Sequence, residues 1–93
     1  MGVKCVSLVM DFGEIRHIRL LIKNIYNRDF TILKCDYELK DPSGQIEAFG
    51  PADIADHVLD VLVNPKLKGE YDVKFTYIIA DETLIEHISL KVI

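Results

Sequence analysis

The chain has 93 residues, which is enough for one domain but too short for two. Hydrophobic residues make up 49% of it and charged residues 28%, a balance that is typical of a folded globular domain and excludes a disordered or fibrous protein. The net charge is -4, with 11 basic residues scattered among 15 acidic ones, and this excludes general nucleic-acid binding, which needs clustered lysine and arginine. We therefore treat residues 1–93 as a single domain.

The N-terminal residues do not have the pattern of a targeting segment. Lys4 and Ser7 interrupt the apolar stretch from Val3 to Met10, and no small-residue cleavage site follows. No stretch reaches the roughly 20 apolar residues that a membrane-spanning helix needs. We therefore expect cytoplasmic synthesis without a signal peptide, and no membrane partner.

The two cysteines, Cys5 and Cys35, are expected to be free thiols. Without a secretion signal the compartment is reducing, which disfavours a disulfide between them. Both lie on or beside apolar alternations, where burial raises the pKa of a thiol and makes it unreactive.

Alternating apolar and polar residues predict strands along most of the chain. The first runs from about Ile15 to Ile25, and Leu21 and Ile25 are the apolar residues on its polar side. Its inward residues are Ile18, Leu20 and Ile22.

The segment over residues 30–49 predicts a hairpin. The apolar face of its first strand contains Leu33, Cys35, Tyr37 and Leu39. The sequence Asp41-Pro42-Ser43-Gly44 then predicts a turn, because proline fixes φ and glycine accepts unusual backbone angles. The second strand follows over residues 45–49.

The longest alternation, GEYDVKFTYIIA at residues 69–80, predicts a strand with one buried face. That face contains Tyr71, Val73, Phe75, Tyr77 and Ile79. A last strand follows after the short link ADET at residues 80–83, so we predict a second hairpin at the C-terminus. The inward residues of that strand are Ile88, Leu90 and Val92.

Residues 50–65 allow two interpretations. As a helix over 52–63, within an α+β fold, the segment would have Pro51 in its first turn and one apolar face. As strands, it would form a short piece at 52–54, a turn at Ala55 and Asp56, and a strand with inward Leu59, Val61 and Val63. The β-branched valines and the regular spacing of the neighbouring strands favour the second interpretation, so we predict an all-β fold.

Gly69, Tyr71 and Val73 resemble the start of the penultimate strand in immunoglobulin-like domains. The resemblance implies a β-sandwich of about seven antiparallel strands and a "tyrosine corner", in which the Tyr71 hydroxyl bonds to backbone upstream. The chain departs from antibody domains because Val73 replaces the disulfide cysteine and tryptophan is absent, so it is closer to the broader immunoglobulin-like or fibronectin type III class. The residues alone also allow the alternative that Tyr71 is an ordinary aromatic residue of the core.

The order of features along the chain is also similar to small β-sandwich domains of tailed-phage structural proteins of the tail or baseplate. The residues that carry this resemblance are Gly13, Glu14, Asp41, Gly44, Ala52, Ile54, Gly69, Tyr71, Phe75, Tyr77, Asp81 and Glu82. It implies a protein that acts by assembly within a phage or prophage virion, rather than by catalysis.

No combination of polar residues in the sequence indicates a catalytic or metal site. His17, His57 and His87 lack the spacing of metal ligands, and the acidic run over residues 53–60 lacks the calcium-loop pattern. No catalytic serine motif, phosphate-binding glycine loop or dinucleotide motif is present. We therefore predict a protein that is not an enzyme and has no cofactor or metal.

With catalysis disfavoured, the remaining candidates are surfaces. Five apolar residues fall on polar sides of the predicted strands, and they are the candidate interface for a protein partner or for self-association: Leu21, Ile25, Ile78, Ile85 and Ile93. The outer face of the C-terminal hairpin is the favoured location. The alternative function is that of a small cytosolic α+β domain that binds a small molecule or has a modest enzymatic role.

Overall fold

The computed structural model of the protein describes residues 6–23 and 30–93, and their regular structure consists of β-strands. The strands are β1 (Val6–Met10), β2 (Arg16–Leu21), β3 (Ile32–Lys40), β4 (Ile46–Pro51), β5 (Asp53–Ala55), β6 (Val58–Val63), β7 (Gly69–Ile79) and β8 (Glu82–Val92). The predicted all-β fold is confirmed. The sequence predicts about seven strands, and the additional one is β1. Its residues Leu8, Val9 and Met10 are all apolar, so β1 lacks the alternation by which the other strands are predicted.

The strands form two sheets. The five-stranded sheet has the order β1-β8-β7-β3-β4, and the three-stranded sheet has the order β2-β6-β5. The expectation of antiparallel strands throughout is wrong for β1, which pairs in parallel with β8. A parallel pair is possible here because the two strands lie far apart in sequence and no hairpin joins them.

Both sheets contribute their inward residues to one hydrophobic core. The five-stranded sheet contributes, among others, Leu39, Tyr71, Val73, Phe75, Ile88 and Leu90. The three-stranded sheet contributes Ile18, Leu59, Val61 and Val63. Burying a large apolar side chain is worth about 1.5–3 kcal/mol, so the alternation of each strand decides which of its faces turns inward.

The strand interpretation of residues 50–65 is confirmed, and the alternative helix at 52–63 is wrong. The turn between β5 and β6 lies at Asp56 and His57, where Asp56 has a φ of 56°, a conformation that aspartate tolerates better than most residues. The predicted inward residues of β6, Leu59, Val61 and Val63, are buried. β6 pairs with β2 on one side and with β5 on the other, so both of its edges have hydrogen-bonding partners. The local helical periodicity of the sequence does not reveal these distant partners.

The prediction that Leu33 faces the core is wrong. The pairing of β3 with β7 shifts register between Ile32 and Lys34, so the chain contains a bulge at this point. As a result Ile32 is 5% exposed and occupies the core position, whereas Leu33 is 62% exposed. Cys35 and Leu39, beyond the bulge, are buried as predicted.

Both predicted hairpin turns are present. Ala80 and Asp81 join β7 to β8. In the other turn, the Oδ1 atom of Asp41 accepts hydrogen bonds from the Ser43 hydroxyl at 2.5 Å and from the backbone N–H groups of Ser43 and Gln45 at 2.9 and 3.1 Å. The bond from the Ser43 hydroxyl is the main cause that lowers the pKa of Asp41.

The hydroxyl of Tyr71 joins three parts of the chain at the start of β7. The backbone N–H of Leu67 donates to Tyr71 Oη at 3.0 Å, and the hydroxyl donates to Glu47 Oε1 at 2.6 Å. Burial raises the pKa of Tyr71, and the Glu47 carboxylate raises it further, so the hydroxyl stays neutral. The bond to upstream backbone that the immunoglobulin resemblance implies is therefore present.

Gly69 and Val73 flank this tyrosine and have structural roles. Gly69 has a φ of 126°, and a Cβ atom there would lie 2.8 Å from Cγ of Pro42. The close approach of the 41–44 turn to β7 therefore requires glycine. Val73 is 0% exposed and lies in the core.

We expect Tyr71→Phe to lower the free energy of unfolding by about 1–2 kcal/mol, because the Leu67 N–H group and the Glu47 carboxylate both lose their hydrogen bond to the Tyr71 hydroxyl. Urea unfolding monitored by circular dichroism measures this. Tyr37→Phe is the matched control, because within the described residues the Tyr37 hydroxyl makes no hydrogen bond. A loss for Tyr71→Phe no larger than that of the control would show that the hydroxyl contributes nothing.

Candidate functional site

The outer face of the five-stranded sheet has a polar centre. His87 Nδ1 lies 3.0 Å from Asp72 Oδ2, and Lys74 Nζ lies 3.7 Å from Glu38 Oε1. These pairs connect β8 with β7 and β7 with β3. Because they are exposed to water they contribute little to stability, and they separate the apolar residues at the ends and edges of this face.

Three apolar side chains lie towards one end of this outer face, and we call them the hairpin patch: Leu33, Ile78 and Ile85. In the sheet register Ile78 lies between Thr83 on β8 and Lys34 on β3, and Ile85 lies opposite Thr76. Ile78 and Ile85 are therefore diagonal neighbours, within reach of each other's side chains. Ile85 is 52% exposed and Ile78 is half-buried.

The five candidate interface residues do not form one surface. Ile78 and Ile85 lie together, but Ile93 lies beyond the opposite end of β8, where its backbone pairs with Met10 and Phe12. Leu21 lies on the outer face of the three-stranded sheet. Ile25 lies outside the described residues.

Two further exposed apolar residues, which the sequence analysis missed, lie on the edge strand β4. Phe49 is 77% exposed and Ile46 is 49% exposed. Phe49 pairs with Glu38 and Ile46 with Lys40, and both partners face outward. The short alternation of β4 contains the signal for Phe49, but the sequence analysis assigns faces only to the first strand of this hairpin.

The outer face of the three-stranded sheet contains a compact charged cluster. His17 Nδ1 lies 2.8 Å from Asp60 Oδ1, and Arg19 Nε donates to Asp60 Oδ2 at 3.1 Å. Desolvation disfavours the ionised form of Asp60, but the hydrogen bonds from His17 and Arg19 outweigh it and hold the pKa of Asp60 below its ordinary value. The carboxylate is therefore ionised and held between two basic side chains.

The three histidines lie at separate places, each with its own partner. His17 pairs with Asp60 and His87 with Asp72, both on outer faces of the sheets. His57 Nε2 lies 2.8 Å from the carbonyl oxygen of Phe30, and its ring stacks on the Phe30 ring at 3.9 Å. Within the described part of the chain, no three histidine, cysteine, aspartate or glutamate side chains converge in a way that would hold a metal ion.

A cleft of about 260 Å³ lies between the edge strands β1 and β2. Residues of both strands, together with Leu90 of β8, line it. Its volume is slightly below the roughly 300–1,000 Å³ of typical small-molecule sites, and we assign no ligand to it.

Cys35 is a buried free thiol, and Cys5 lies outside the described residues. Burial, with a smaller contribution from the Asp36 carboxylate, raises the pKa of Cys35 to about 11. The thiol is therefore protonated at neutral pH and is a poor nucleophile.

We expect Cys35 to react with iodoacetamide much more slowly in the folded protein than in urea, because both the thiolate fraction and access are low. Since folding raises this pKa, the thiol's contribution to stability is present below the unfolded value of 9.0 and is lost as the pH rises towards 11. Mass spectrometry of time-resolved alkylation at pH 7 and pH 9 measures the rate for each cysteine separately. Equal rates for Cys35 in folded and unfolded protein would contradict the prediction.

The described residues contain no helix with the length and hydrophobicity needed to cross a membrane. Comparisons of the chain with protein families, with curated proteins and with solved structures found no match.

Proposed function

We propose that this chain is an immunoglobulin-like β-sandwich that acts as a non-enzymatic protein-interaction module, with the hairpin patch as its contact for a partner protein. The patch is the observation that carries the proposal. It places Ile78 and Ile85 on the outer face of a sheet, at positions where strand alternation calls for polar residues, and the bulge in β3 adds the exposed Leu33.

The strand order supports the immunoglobulin-like assignment. In an immunoglobulin domain the second, fifth and fourth strands (B, E and D) share one sheet, and the G, F and C strands share the other, with C′ added in variable-type domains. The order β2-β6-β5 corresponds to B-E-D, and β8-β7-β3-β4 corresponds to G-F-C-C′. The hydrogen bond from Leu67 to Tyr71 at the start of β7 lies where the tyrosine corner of such domains occurs.

Two features separate the chain from antibody domains. Val73 stands where the disulfide cysteine would be, and the sequence has no tryptophan to pack against a disulfide. The fully buried Val73 and Phe75 supply apolar contacts between the sheets instead. These differences favour the broader immunoglobulin-like class over antibody domains.

The hairpin patch suits protein contact because it is apolar, largely exposed and located on paired strands. Leu33 and Ile85 are more than half exposed, and Ile78 lies on the long β7–β8 ladder. Burying one such side chain is worth about 1.5–3 kcal/mol before the cost of association is subtracted. Paired charges in the centre of the same face would form the polar rim that protein interfaces usually have.

The resemblance to tailed-phage structural domains suggests which partner binds there. We propose that the partner is another structural subunit of a phage or prophage particle, in the tail or baseplate. Small β-sandwich domains in such particles act by assembly, which fits a chain whose exposed features are contact surfaces rather than a reaction site.

We expect Ile85→Lys to abolish incorporation of the chain into phage particles without unfolding it, because the residue is exposed and a buried lysine in an interface would be unpaired. Particles are purified on a density gradient after prophage induction in the organism that encodes the chain, and incorporation is quantified by mass spectrometry. Loss of one buried isoleucine would weaken binding by about 10- to 100-fold.

Ile93→Lys is the matched control, because Ile93 is 54% exposed but lies beyond the other end of β8. It should be incorporated like the wild type. Absence of the wild-type chain from the particles would contradict the virion assignment. Normal incorporation of Ile85→Lys would show that the hairpin patch is not the contact.

A further inference from the structure

The outer face of the three-stranded sheet has a regular arrangement of side chains in three rows, and we call it the three-stranded face. The register places His17 beside Leu62 in the first row. The second row contains Arg19, Asp60 and Asp53, and the third contains Leu21, Val58 and Ala55. Charged residues thus fill the middle row, and apolar residues lie above and below it.

Two leucines on this face are more than half exposed. Leu21 is 56% exposed and Leu62 is 55% exposed, although both project from regular strands. Ile15, immediately before β2, is 59% exposed. Such residues on both sides of a charged row indicate a surface suited to protein contact.

The charges on this face are divided between its two edges. The β2 edge carries His17 and Arg19, and exposed Lys23 follows that strand. The opposite edge carries Asp53 on β5 and Asp56 in the turn that follows. Basic groups therefore lie along one edge and acidic groups along the other, about 10 Å apart across β6.

Arg19 has hydrogen-bonding capacity left for a second carboxylate. Within the described residues its guanidinium bonds to Asp60 through Nε, and its side chain is 62% exposed. The two terminal nitrogens carry four further N–H donors with the planar geometry that carboxylates accept. An acidic side chain of a partner can therefore bind Arg19 while Asp60 stays in place.

We propose that the three-stranded face binds a second copy of this chain around a two-fold axis that runs along β6. Such an axis places β2 of one copy over β5 of the other, so that Arg19 faces Asp53 of the second copy, and the same pair forms twice. A two-fold interface needs a surface complementary to itself, and this division of charge provides it.

The rest of the face is compatible with this packing. Leu62 and Val58 lie on the axis strand and would meet their own equivalents, forming the apolar centre. Asp60 also lies near the axis, but in each copy hydrogen bonds from its own His17 and Arg19 already hold it. Packed sheets cross at about 30°, which at one strand spacing from the axis moves a pair by only about 2–3 Å, within the reach of an arginine.

The test uses two charge-reversed variants of the full chain, Arg19→Asp and Asp53→Arg, in sedimentation equilibrium at low salt. The wild type should show a monomer–dimer equilibrium that weakens as salt is added. Each variant alone should dimerise at least about tenfold more weakly, because like charges then face each other twice. An equimolar mixture should dimerise more tightly than either variant alone, because the heterodimer restores an aspartate–arginine pair at both positions.

Two further variants separate this surface from the rest of the molecule. Leu62→Lys should abolish the dimer while the circular dichroism spectrum shows intact strands. Ile85→Lys, on the hairpin patch, should leave the dimer unchanged, so failure here is distinguishable from failure of the proposed partner contact. A wild type that stays monomeric, single variants that dimerise normally, or a mixture no tighter than its components would each overturn the proposal.

Discussion

The inward face of β7 is the constraint on which the rest of the structure depends. This strand lies in the middle of the five-stranded sheet, and its Tyr71, Val73 and Phe75 are 0–2% exposed. A strand with such large apolar side chains on one side is stable only when a second layer covers them. The three-stranded sheet supplies this layer through the inward residues of β2 and β6. The Tyr71 hydroxyl then ties the loop before β7 and strand β4 to the same core, which fixes the corner where the chain passes between the sheets.

This two-layer arrangement explains why the exposed apolar residues lie on two opposite outer faces. In each strand every second residue faces inward and fills the core. An apolar residue among the others therefore lies on the surface. The hairpin patch arises in this way on the five-stranded sheet, and Leu21 and Leu62 on the three-stranded sheet. A chain that pairs with its own copy through one face and binds another protein through the other would have the connectivity of a building block in an assembly.

Only part of the candidate site could be predicted from the sequence. Alternation predicted that Ile78 and Ile85 project outward, and their positions on one hairpin predicted that they lie together. The predicted position of Leu33 is wrong, because a bulge in β3 turns Ile32 inward and Leu33 outward, and nothing in the local sequence marks the bulge. Leu21 lies on a different sheet from the hairpin residues. Alternation shows on which face of its strand a residue lies, but it does not show to which sheet that strand belongs.

By itself the sequence determined the all-β class, the two hairpin turns at residues 41–44 and 80–81, and the inward residues of β6, β7 and β8. These properties depend on short-range chemistry, namely the period of two along a strand and the backbone preferences of turn residues. Only the tertiary structure decided that β1 runs parallel to β8, that β2 and β6 pair across forty residues, and that Asp60 meets His17 and Arg19. Those features depend on which strands pair and in which register, and pairing is settled by burial of the whole core at once rather than by any segment alone.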